Sequence, residues 1–96
     1  MIKKKFLIKN KIGLHARPAS SFVDLASKFK SKVKIVFEDT EVNAKSIISV
    51  LSLGLGKGDK FTLIIKGTDE KKAMNKLEQF IKNNLREKES QDDIIR

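Results

Sequence analysis

Apolar and charged residues nearly alternate from Ile2 to Ile8, with Ile2, Lys4, Phe6 and Ile8 on one side and Lys3, Lys5, Leu7 and Lys9 on the other. A period of two is that of a half-buried β-strand. After a loop at 10–13 the period changes, and Ala19, Phe22, Leu25, Ala26 and Phe29 recur at helical spacing. Pro18 fits an α-helix only in its first turn, so this helix starts within a residue or two of His15. Val33, Ile35 and Phe37 alternate with Lys32, Lys34 and Glu38 in a second strand. Asp39-Thr40 turns the chain into a short third strand, Glu41 to Ala44. Ser46 precedes the run from Ile47 to Leu53. Serine is a natural helix cap and Gly54 a natural stop, so the run reads as a short helix, although its periodicity also admits a strand. A turn at 56–59 leads to a fourth strand, with Phe61, Leu63 and Ile65 on one face. Gly67 to Glu70 opens a last helix with a cap and two acids in the first turn. Its apolar stripe is Ala73, Met74, Leu77, Phe80, Ile81 and Leu85.

The order β-α-β-β-α-β-α, with strands that alternate apolar and charged, implies a sheet with one wet face and helices on the other. The expected class is α/β, as a two-layer α+β sandwich. A chain of 96 residues makes one domain, expected over 1–88, with a charged tail over 89–96 to which no function is assigned. With no cysteine and one histidine, a disulfide framework and thiolate metal sites are excluded, and a zinc site would have to rely on carboxylates. No metal or cofactor is expected. The apolar stretch Phe6 to Ile8 is too short for a signal core, and no run reaches membrane-spanning length. A soluble, cytoplasmic protein without membrane insertion is expected.

Charge changes the picture next. The net charge is +9, and residues 1–37 hold ten Lys or Arg against one acid, Asp24. The excess therefore surrounds the start of the first helix in the sequence, and is expected to steer anionic partners there. A nucleic-acid module is a poor fit. The chain has no Tyr or Trp, its six Phe fall at core-like positions, and no helix-turn-helix or RNP pattern occurs.

Two stretches invite a chemical reading. "GLGKGDK", 54–60, resembles a phosphate-binding loop, but Leu51 stands where that loop needs Gly, Gly58 where it needs Ser or Thr, and a strand rather than a helix follows. It is read as a turn. "GLHARP", 13–18, is different. His15 stands at a helix start, where free backbone N–H groups favour an anion. Arg17 adds a fixed charge and several donors, and Pro18 stiffens the first turn. A lone histidine is usually a surface or satisfied core residue. These neighbours favour a group that accepts a phosphoryl unit, with Ala16 and Arg17 offering backbone N–H groups. No catalytic triad or paired carboxylate can be built around it, so a carrier fits better than a hydrolase.

"GLHARPASSFVDLASKF" and "VNAKSIISVLSLGLGKGDKFTLIIKGTDEKKAMNKLEQF" together resemble HPr, the histidine-containing phosphocarrier family of the bacterial sugar phosphotransferase system. The likeness spans about residues 2–85. It implies an open-faced sandwich of four antiparallel strands covered on one face by three helices. It implies that His15 is phosphorylated on Nδ1 by enzyme I and passes the group to IIA domains of sugar permeases, with Arg17 and Pro18 completing the motif. It further implies that Ser46 is a regulatory site for HPr kinase/phosphorylase, and that Ile47, Ile48 and Leu51 dock partners. Ser20 and Asp24, one and two turns beyond His15, are expected to line the same surface, and the protein to act as a monomer. A regulatory adaptor, acting mainly through Ser46 and binding transcription regulators, is the alternative. Ser49 and Ile12 depart from the residues common in the family.

Overall fold

The computed structural model describes residues 1–11 and 13–85, so the expected tail lies outside the described residues. The elements are β1 (Ile2–Leu7), α1 (Ala16–Ala26), β2 (Lys32–Phe37), β3 (Thr40–Asn43), α2 (Ile47–Ser52), β4 (Lys60–Lys66) and α3 (Glu70–Asn84). The strands form one antiparallel sheet in the order β1-β4-β2-β3. Phe6 faces Phe61, Ile2 faces Ile65, and Ile35 faces Leu63 and Val42, so the strands' apolar faces meet on one side. The helices cover that side. Ala19, Phe22, Val23 and Ala26 of α1, Val50 of α2, and Ala73, Met74, Leu77 and Ile81 of α3 are buried against it. Phe22 meets Phe80 across α1 and α3 with ring centroids 5.7 Å apart. Burying each of the larger of these side chains stabilises the fold by about 1.5–3 kcal/mol.

The ambiguous run after Ser46 is a helix. Ile47, Val50 and Leu53 are wholly or partly buried, yet Ile48 is 78% exposed, a one-sided pattern a two-turn helix gives. It ends at Leu53, and Gly54 takes φ +62°, the left-handed stop a glycine adopts freely.

Three details differ from the sequence reading. β1 ends at Leu7 because Ile8 leaves the ladder: its N–H donates to the Asp59 carbonyl (2.9 Å) and its carbonyl accepts from Gly58 (2.8 Å). β3 runs one residue earlier than expected, because the turn is at Glu38–Asp39, with Glu38 at φ +55°. Only Glu70 lies in the first turn of α3. Asp69 takes the cap position but does not cap. Its carboxylate instead accepts the Ser31 hydroxyl, the Lys30 N–H (2.9 Å) and the Ser31 N–H (3.0 Å). These bonds, the Ser31 hydroxyl first, lower its pKa from 3.8 to about 2. Asp69 thereby ties the α1–β2 loop to the start of α3.

Lysine placement also departs from expectation. The excess does not gather at the start of α1. Alternation sends Lys3, Lys5, Lys32 and Lys34 to the open face of the sheet, while Lys4 points the other way and pairs with Glu78 of α3 at 2.6 Å.

Candidate functional site

His15 is the N-cap residue of α1, with extended backbone (φ −89°, ψ −171°) and an exposed side chain that makes no cap bond. Its carbonyl accepts the first helical bond, from Ala19 N–H at 2.9 Å. Ala16, Arg17 and Pro18 make the first turn. Proline has no N–H, so two backbone donors face outward there, those of Ala16 and Arg17. Among the described residues neither has an acceptor, and the exposed Arg17 guanidinium has no ion pair. The corner thus carries an exposed imidazole, two unmatched amides and an unpaired guanidinium on three consecutive residues at one helix start. Such a set stabilises an added anion.

The residues before His15 hold it in place. Gly13 has φ +80°, and a Cβ there would lie 2.6 Å from both the Gly56 Cα and the Leu55 carbonyl oxygen. Only glycine allows this approach. Leu14 is buried, and its N–H donates to the Leu55 carbonyl at 3.0 Å. The Asn10 amide donates to the Gly13 carbonyl at 3.1 Å. The opposing loop is itself braced, since the Asp59 carboxylate accepts the Gly56 N–H at 2.8 Å. Sequence reasoning treated 54–60 as a turn with no part in the site. Its backing role depends on contacts some forty residues away in sequence, and the glycine just before the helix was the one local sign of it.

Ser46 lies at a second helix start. It is the half-buried N-cap of α2, and its hydroxyl accepts the Ser49 N–H at 3.3 Å. Ile48 and Leu51 are the exposed apolar residues of α2, at 78% and 38%, whereas Ile47 is half-buried against the core. Ser20 and Asp24 lie exposed on α1, one turn apart. α1 packs against α2, so the two helix starts belong to one helical layer. The sequence-predicted residues therefore fall into two groups: His15, Ala16, Arg17 and Pro18 at the α1 start with Ser20 and Asp24 farther along that helix, and Ser46, Ile47, Ile48 and Leu51 at α2.

Residues 2–83 match the family described as "PTS HPr component phosphorylation site". The chain belongs to the HPr family. It is 46% identical over 81 residues to the HPr-like protein Crh of Halalkalibacterium halodurans, covering 84% of this chain and 96% of that one. It is 38% identical over 87 residues to the phosphocarrier protein HPr of Treponema pallidum, covering 91% and 99%. The solved HPr of Thermoanaerobacter tengcongensis superposes with a TM-score of 0.83 at 43% identity, over 86% of this chain and 93% of that one. Solved relatives also include dimers, that of Bacillus subtilis Crh among them. Relatives of this family in Treponema pallidum and Mycoplasma pneumoniae are named phosphocarrier proteins. Among the described residues of this HPr-family chain, no helix is long and apolar enough to cross a membrane.

Proposed function

We infer that this HPr-family chain carries a phosphoryl group on His15 Nδ1. The exposed imidazole beside two unmatched backbone donors and an unpaired Arg17 supports this reading above all. The His15 nitrogen attacks the phosphorus of a phosphohistidine on enzyme I. One N–P bond forms as the other breaks, and no water or metal takes part. The Ala16 and Arg17 N–H groups and the Arg17 guanidinium meet the phosphoryl oxygens, while Pro18 keeps the first turn rigid. The group then passes to a IIA domain of a sugar permease, and the exposed Ile48 and Leu51, with Ile47, Ser20 and Asp24, form the docking surface. The carrier acts in the cytoplasm as a monomer, and its domain ends near residue 88.

Ser46 is the regulatory site of this reading, modified by HPr kinase/phosphorylase. A phosphate there adds a charge of roughly −2 beside the docking residues, at a helix end whose dipole tolerates it. The likeness to Crh favours a second reading, a regulatory adaptor that acts through Ser46 and transcription regulators.

Intact mass after incubation with phosphoenolpyruvate and enzyme I tests the choice. A single phosphoryl adduct that mild acid removes is expected. No adduct, with an acid-stable one formed instead from ATP and the serine kinase, would leave the adaptor reading.

A further inference from the structure

The open face of the sheet has no part in the carrier reading, yet it holds most of the chain's excess charge. Strand register fixes its composition. Lys3, Ile64, Lys34 and Asn43 form one row across the four strands, and Lys5, Thr62, Val36 and Glu41 the next. Lys60 beside Leu7 and Lys66 beside Lys32 extend the rows at the two ends. All six lysines are exposed, against a single acid, Glu41. Among the described residues only Lys34 is paired, with Glu41 at 2.9 Å. Five ammonium groups thus stand on one face without a partner, of a net charge of +9 for the whole chain.

The make-up of the face selects among polyanions. It has no arginine and no aromatic residue, the side chains that grip phosphates in pairs and stack on bases. Lysines are point charges on flexible stems, suited to a fluid lattice of headgroups. Val36, Thr62 and Ile64, between them, are half-buried, and Leu7 at one end is 41% exposed, so the apolar surface available to insert is small. A broad sheet face also presents its charges side by side to a planar surface. We propose that this face adsorbs the chain to an anionic lipid bilayer through Lys3, Lys5, Lys32, Lys60 and Lys66, without insertion. The helical layer, with His15 and α2, then faces away from the lipid and stays open to protein partners.

The test is co-sedimentation of the full chain with vesicles of phosphatidylcholine alone, or mixed equally with phosphatidylglycerol, at about 0.1 M and about 0.01 M salt. Binding is expected only to the mixed vesicles, and stronger at low salt. Replacing two face lysines, Lys5→Gln with Lys60→Gln, should weaken it about thirtyfold, at about fivefold per lysine. The pair Lys71→Gln with Lys72→Gln removes equal charge from the exposed side of α3 and should cost far less. Phosphoryl acceptance in solution, read in parallel, stays unchanged in both variants, which separates this inference from the carrier reading. Absence of binding at either salt, equal binding to neutral vesicles, or an equal loss from the α3 pair would overturn the proposal. Tighter binding of a short DNA duplex, lost with the same face lysines, would also overturn it and assign the face to nucleic acid.

Discussion

α1 and α2 both start from a polar N-cap residue in extended conformation, and the two starts are finished differently. At α2 the cap is satisfied from within, since the Ser46 hydroxyl accepts the Ser49 N–H. At α1 the cap is a histidine whose side chain bonds nothing in the helix, and among the described residues the Ala16 and Arg17 donors have no acceptor. A serine finishes a helix; a histidine at the same place leaves it unfinished. The open end is where an external anion gains most, because its bonds displace only water and break none within the protein. The closed end suits a hydroxyl that stabilises the fold until it is modified.

The largest effect that would break this contrast is at His15. His15→Ala should abolish acid-labile phosphorylation by enzyme I while the melting curve stays within about 0.5 kcal/mol of the parent, as for an exposed side chain. Surviving transfer, read by intact mass, would remove the open end from the mechanism. Next is its support. Gly13→Ala meets the Leu55 carbonyl and the Gly56 backbone at a left-handed φ, and should cost about 2 kcal/mol or more in denaturant unfolding and slow phosphoryl acceptance. The closed end is worth less. Ser46→Ala should cost about 1 kcal/mol, and Ser46→Asp only a few tenths, since aspartate caps as well as serine. Yet Ser46→Asp should slow transfer from enzyme I, where Ser46→Ala does not. Equal kinetics in the two would make Ser46 a cap and nothing more.

The third helix start sharpens the comparison further. Asp69 sits at the α3 cap position but spends its carboxylate on Lys30 and Ser31. Its pKa falls from 3.8 to about 2 in the folded protein. A lowered pKa contributes stability that is fully present above about pH 4 and is lost as pH falls toward 2. In Asp69→Asn, the part of the acid-induced loss of stability between those values should shrink, as followed by denaturant titrations at each pH. An unchanged acid slope would show that other carboxylates govern it.

Much of this was legible in the chain. Alternation in β1, β2 and β4 defined which residues face inward, because a strand with one wet face has no other way to arrange them. Pro18 placed the start of α1, because it fits only the first turn. Motif likeness rather than physics singled out Ser46, whose local signature is that of any cap. What stayed hidden was long-range. The Gly13–Gly56 approach and the Asp69–Ser31 tie join residues dozens of positions apart, and no local pattern names the partner in either. The charge bias was visible as a number, but its direction was not: only the strand register shows that it lies on the sheet's open face.

The clamp on the loop before His15 also bears on the order of assembly. Lys9 and Asn10 donate to the Leu85 carbonyl at 2.8 and 3.2 Å, Ile8 bonds Asp59, and Leu14 bonds Leu55. The side chains of the His15 corner leave the ribosome before the backbone behind them, first Leu55 to Asp59 and later Leu85, is made. A nascent chain displays His15 first and gains the full set of bonds behind it only when Leu85 reaches Lys9 and Asn10, so a product cut short before then presents the histidine incompletely braced.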